Sequence, residues 1–169
     1  MAPPSSAVPL TRLRPQPAAL QPNIGVMLHD VSRMIRRRFE RIARQDGLSI
    51  TRLQARLLLE IARHEGVSQA SVATLLDIEP IALVRMLDRM HEEGLVERRP
   101  HPTDRRVRTL WLTPSGWPVV ERILAINRAI REEACAGLAP GVRELLLAAL
   151  DQMRGNLAFP DEIPAAAGE

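Results

Sequence analysis

At 169 residues with 46% hydrophobic content, the chain fits one globular domain with loose ends and leaves no room for two independent cores. Aromatic residues are only 2%, so the core must come from Leu, Ile, Val, Ala and Met, a palette that favours packed helices. All 23 basic residues are arginine and the formal net charge is +3; the guanidinium fork suits phosphates and guanine edges, so where the arginines cluster matters more than their sum.

Residues 1–22 hold six prolines and no secretory apolar core, and are expected to be a disordered arm. A helical period follows at once, with Ile24, Met27, Leu28, Val31, Met34, Ile35, Phe39 and Ile42 on one stripe. Gly47 ends this first helix. Thr51 with Gln54 three residues later forms a capping box for a second helix that turns Leu53, Leu57, Leu58 and Ile61 inward and closes at Gly66. Ser68 is placed to cap a short helix reaching about Leu76, and Asp77-Ile78-Glu79 leads tightly to Pro80 at a first helical position. Two helices joined so closely suggest helix-turn-helix. The second of them, Pro80 to Glu93, sets Leu83, Leu87 and Met90 on one face and Ala82, Arg85 and Arg89 on another, then stops at Gly94.

Leu95 to Arg99 and Val107 to Leu112 are short β-like runs forming a hairpin, the later one alternating Val107, Thr109, Trp111 against Arg108, Leu110, Leu112. Its tip, Pro100-His101-Pro102-Thr103-Asp104, has turn composition, and residues 98–108 hold five arginines against one acid, a basic wing. Thr113 is expected to cap the next helix with Pro114 at its first position; Val119, Val120, Ile123, Ile126 and Ile130 make its apolar seam, and Pro118 predicts a kink or a delayed start. Pro140 is expected to open a last helix with Val142, Leu145, Leu146, Ala149, Leu150 and Met153 inward. Helices of this kind at the end of the chain have little to bury against within one subunit, which favours an isologous homodimer. Residues 158–169 are an acidic, alanine-rich tail, expected to be disordered.

Three stretches carry a resemblance to a known family: LSITRLQARLL at 48–58, IEPIALVRMLDRMHEEGLVER at 78–98, and above all DRRVRTLWLTPSG at 104–116. The chain resembles the MarR family of bacterial regulators, and within it the SlyA-like branch. The wing signature of that family runs Asp-x-Arg and ends Leu-Thr-x-x-Gly. The resemblance implies a mainly α fold with a small β-hairpin wing (α+β): a winged helix-turn-helix at about 48–113, flanked by dimerisation helices at 23–46 and 113–157, all within a domain of 23–157. It implies a triangular dimer that presents two winged modules to successive major grooves of double-stranded DNA, on a pseudo-palindromic operator. Repression is the commoner mode, in the bacterial cytoplasm at the nucleoid.

Residue by residue, the resemblance points to Arg85 for a guanine edge or nearby phosphate, with Ile81 and Ala82 near the groove floor. Family members often carry hydroxyl residues there; apolar side chains favour thymine methyl groups instead. Ser68, Gln69 and Ser71 are candidates for phosphate contacts. Arg105 and Arg106 match positions that enter the flanking minor groove, where narrow A·T-rich tracts attract them, and Asp104 holds the wing in shape. Arg98, Arg99 and Arg108 are candidates for phosphates or for keeping a sheet edge soluble, and Arg89 is split evenly between DNA and an ion pair on its own helix. Small aromatic carboxylates or related metabolites are the usual inducers of the family, and His29, Arg33, Arg56 and Arg63 are the residues placed to meet one.

Cys135, alone among alanines in the fifth helix, is read first as a packed thiol near the dimer interface and second as a redox sensor. A lone cysteine excludes an internal disulfide framework or multi-cysteine zinc site and fits a reducing compartment. Glu92 and Glu93 have no metal partner beyond His91, and there is no nucleophile elbow or phosphate-cradling glycine loop, so neither an enzyme nor a cofactor is expected. The competing readings are an architectural or weakly specific DNA-binding protein, a redox-responsive regulator using Cys135, and a protein-docking winged module.

Overall fold

The computed structural model describes residues 23–104 and 106–158; the arm at 1–22 and the residues after Ala158 lie outside the described residues. Six helices and three strands follow in the order α1 (Ile24–Gln45), α2 (Arg52–Arg63), β1 (Val67–Ser68), α3 (Gln69–Leu76), α4 (Pro80–Glu92), β2 (Val96–Pro100), β3 (Arg108–Leu112), α5 (Gly116–Ala134) and α6 (Val142–Leu157). Two compact units divide the chain between Met34 and Ile35. In the first, Asn23 Oδ1 accepts the amide of Val26 at 3.0 Å, starting α1, and Ile24, Met27, Leu28, Val31 and Met34 are all exposed.

The second unit holds the core. Phe39 and Ala43 on the later part of α1 are buried with Leu57, Leu58 and Ile61 of α2, Val72 and Leu76 of α3, Leu83, Leu87 and Met90 of α4, Val96 and Leu110 of the sheet, and Ile123 of α5. The α2 capping box forms as the sequence requires: Thr51 Oγ1 accepts from the Gln54 amide at 3.2 Å and Gln54 Oε1 accepts from the Thr51 amide at 2.8 Å. Among the described residues no helix is long and apolar enough to cross a membrane.

Several expectations change. The expected β2–β3 hairpin forms, with Val96 opposite Leu112, and β1 adds a third antiparallel strand, in the order β1-β3-β2 with Val67 opposite Leu110. A two-residue strand carries no alternation to read. As the central strand, β3 buries Thr109, Leu110 and Leu112 together, so the expected division into an inner and an outer face is lost.

The fifth helix starts at Gly116 rather than Pro114. Thr113 instead forms a lock, its hydroxyl donating to the Gly94 carbonyl at 2.5 Å while accepting from the Gly116 amide at 3.0 Å. Pro118 is then the third residue of α5, where no intrahelical donor is required, so it needs no kink. The α5 seam also turns inward rather than toward a second subunit: Val120, Ile123, Ile126 and Ile130 are buried on the protomer core, against α2. The last helix starts at Val142 behind Gly141, whose φ is 81°, and it has no buried residue; Leu145 is 71% exposed.

The lock explains why glycine stands at the end of the Leu-Thr-x-x-Gly run. A β-carbon added to Gly116 would run into the carbonyl oxygen of Leu95, with the Leu112 side chain 3.3 Å away. Both are fixed by the sheet, so the strain has no easy outlet. Gly116→Ala is expected to destabilise the fold by about 1–3 kcal/mol, the usual cost of overpacking, read as a lower urea midpoint with unchanged slope; an unshifted midpoint contradicts the close approach.

Candidate nucleic-acid interface

The helix-turn-helix is built from local signals. Ser68 Oγ caps α3 by accepting the Ser71 amide at 3.0 Å and shares a hydrogen bond with the Ser71 hydroxyl at 2.8 Å. The turn is made by Asp77 in the left-handed region, φ 52°, a conformation that short polar residues tolerate, and the Ile78 amide closes it on the Ala73 carbonyl at 2.9 Å. Pro80 then opens α4 with φ already set. Leu83, Leu87 and Met90 pin one face of α4 into the core. Ile81 (73% exposed), Ala82 and Arg85 are left on the surface, and among the described residues Arg85 has no ion-pair partner. Arg89 pairs with Glu93 one turn along at 3.0 Å. Gln69 is half-buried and Ser71 exposed at the start of α3.

The arginines of the sheet differ sharply in their surroundings. Arg98 is drawn inward, donating to Asp88 Oδ1 at 2.5 Å and to the Val84 carbonyl at 3.1 Å, both on α4. Arg99 lies over the Trp111 ring at 4.5 Å and pairs with Glu97; Trp111 Nε1 donates to Thr109 Oγ1 at 3.0 Å, which donates to the Arg99 carbonyl at 3.1 Å. This staple sits at the root of the wing, where the Trp111 ring also covers Gly66. Arg108 is exposed opposite Pro100. At the tip, the His101 amide bonds the Val107 carbonyl at 3.0 Å and the Val107 amide the Asp104 carbonyl at 2.9 Å. Asp104 Oδ1 accepts from the Arg106 amide at 3.0 Å and from its Nε at 3.2 Å. The Arg106 side chain is nevertheless 91% exposed, tied to Asp104 by its amide and by its guanidinium. Arg105 lies outside the described residues.

Of the residues considered for a carboxylate ligand, His29 is exposed and Arg33 pairs with Asp30 at 2.9 Å, both in the first unit. In the second unit Arg56 is exposed and Arg63 pairs with Glu60 at 2.7 Å. Arg52 escaped the sequence reading. It lies over the Phe39 ring at 5.1 Å and donates to Asn127 Oδ1, and burial, then the like charge of Arg56, lowers its pKa. Its signal was the spacing of four to Arg56, which joins two arginines on one helix face. Cys135 caps α5 at its C-terminal end and is half-exposed in the single chain.

Comparison with known proteins follows the same residues. A sequence profile of the MarR family matches residues 48–107, from the approach to α2 to the wing tip ahead of β3. A Thauera aromatica protein, whose name assigns it transcriptional regulation of the hcr operon, is 30% identical over 97 residues. That match covers 57% of this chain and 58% of the relative, little over half of each. The crystal structure of MarR is similar in fold, with a TM-score of 0.74 at 23% identity, covering 81% of this chain and 92% of that one. A transcriptional repressor, CouR, bound to a 23-mer DNA duplex has a TM-score of 0.70 at 26% identity, covering 78% and 92%.

The backbone and side-chain hydrogen bonds of Arg106, in that order, hold the Asp104 carboxyl below its ordinary value of 3.8. With the folded value lowered, the tether is fully present above the ordinary carboxylate range and is lost only as pH falls through the lowered value. A carboxyl-carbon NMR titration of Asp104 is therefore expected to show a midpoint under 3.8 and no change between neutral pH and about 5; a midpoint at or above the ordinary value contradicts the tether.

Proposed function

We propose that the chain, which the MarR-family profile matches over residues 48–107, is a MarR-type homodimeric, sequence-specific regulator of transcription, a ligand-responsive repressor on a pseudo-palindromic operator. The observation that carries this is the exposed face of α4, where Ile81, Ala82 and Arg85 stand clear while Leu83, Leu87 and Met90 anchor the opposite face. A helix presented this way fits the major groove, about 12 Å wide. Arg85 offers a bidentate fork to a guanine; Ile81 and Ala82 offer apolar contact to thymine methyl groups. Ser68, Gln69, Ser71 and Arg108 serve as phosphate contacts, and Arg105 and Arg106 reach the flanking minor groove. The relative bound to a 23-mer duplex carries the same fold, which supports the choice of partner.

Homodimerisation follows from what the protomer leaves bare. The apolar positions of α6, among them Leu145 and Leu146, are exposed, and a helix with no buried face gains little stability in water without a partner surface. An isologous pairing covers such a face twice over and sets two α4 helices at a fixed spacing. Arg56 beside half-buried Arg52, with Arg63 further along the same helix, offers charge to the carboxylate of a small aromatic ligand; His29 and Arg33 of the first unit are separate candidates for such a contact.

Arg85→Ala is expected to lower the preference for the selected operator over random DNA by about 1–3 kcal/mol, measured by fluorescence anisotropy at fixed salt; a uniform loss on every duplex would mean that Arg85 meets phosphate only. Leu145→Glu is expected to shift the protein from dimer to monomer in sedimentation velocity while helical circular dichroism is largely kept. A variant that remains dimeric would remove α6 from the interface.

A further inference from the structure

We propose that Arg98 is a positioning residue that sets the distance and angle between the α4 recognition face and the wing. The inference rests on the reading that these two parts meet different grooves of one DNA site. Its guanidinium grips α4 at two points that bracket Arg85. The Val84 carbonyl, 3.1 Å from Nη2, immediately precedes Arg85, and the Asp88 carboxylate, 2.5 Å from Nη1, follows it by three residues, on the next turn. From the same residue, β2 runs in register to the wing, with Arg98 opposite buried Leu110 and Pro100 opposite Arg108. One side chain therefore ties the backbone beside the base-reading position to the strand that carries the wing.

The surroundings of Arg98 fit a strut and not an arm. Its side chain is 24% exposed, against 91% for Arg106. Two of its nitrogens are committed to α4, and Nε is buried without a hydrogen-bond partner among the described residues. A buried unpaired donor is a standing penalty, and a side chain with both terminal nitrogens engaged on α4 and only 24% exposed is poorly placed to reach a phosphate. The charge pair alone would be served by lysine. A planar fork is needed to hold a carboxylate and a backbone carbonyl at once.

In the full chain, Arg98→Lys keeps the charge and loses the second grip, and Asp88→Asn removes the other anchor. The measurements are Kd on the selected operator, on versions with A·T flanks changed to G·C, and on versions with a changed core base, together with the melting temperature. Each mismatched pair normally costs roughly 5- to 150-fold in affinity. The flank preference is expected to shrink at least about fivefold in both variants, while the core preference persists and melting changes little.

Other outcomes overturn the inference. If Arg98 were a phosphate ligand, Arg98→Lys would be nearly neutral and Asp88→Asn, which removes a negative charge, would tighten binding to every duplex alike. If the grip served only the fold, both variants would melt earlier and bind all duplexes proportionally less, leaving the preferences unchanged. A wild-type protein with no preference for any duplex would sink the underlying reading, and the inference with it; a selective wild type with unaltered variants would sink the inference alone.

Discussion

The seating of α4 governs everything outside it. Leu83, Leu87 and Met90 recur at helical spacing and are buried at 1% exposure or less, so the rotation of the helix about its axis is fixed by the core. Once that face is down, Ile81, Ala82 and Arg85 have no choice but to face out. Fully burying each such side chain is worth about 1.5–3 kcal/mol, far more than the few tenths that a surface pair such as Arg89 with Glu93 contributes. The presentation of the recognition face is thus a consequence of packing, with the charges added afterwards.

The wing depends on α4 in turn. Its central strand is pinned on both sides, by β1 and β2, and its root is closed by Arg99 stacked on Trp111 and by the Thr113 hydroxyl bridging the carbonyl of Gly94 to the amide of Gly116. Burial at the root contrasts with the tip, where Arg106 is tied to Asp104 by its amide and guanidinium yet stays 91% exposed. That gradient suits a part whose base must hold register and whose end must adapt to a groove. The bare apolar face of α6 belongs to a different level of organisation: the core of the protomer is complete without it, and in the proposed dimer its burial falls to assembly.

Much of this was legible in the sequence wherever the signal was local. The Thr51–Gln54 capping box and the Ser68 cap each place a helix end within one residue, because the cap and its target amide lie three positions apart, and Pro80 marks the head of α4 by its fixed φ. Gly94 marks a stop with φ 70°. What escaped was set by partners far along the chain. An apolar stripe on α5 announces that something covers it, yet not whether that is α2 or a second subunit. Arg98 is ten residues from Asp88 and Arg99 is cross-strand to Thr109 with Trp111 on the diagonal; no periodicity relates them. Strand β1 is two residues long and has no pattern at all.

The central claim is that two copies of the α4 face read one symmetric DNA site. Footprinting of the purified protein on the DNA upstream of its own gene tests it most directly. The account predicts a protected pseudo-palindrome with half-sites about one helical turn apart, with protection extending into A·T-rich flanks. Diffuse protection, with an affinity governed by salt and indifferent to sequence, would contradict it.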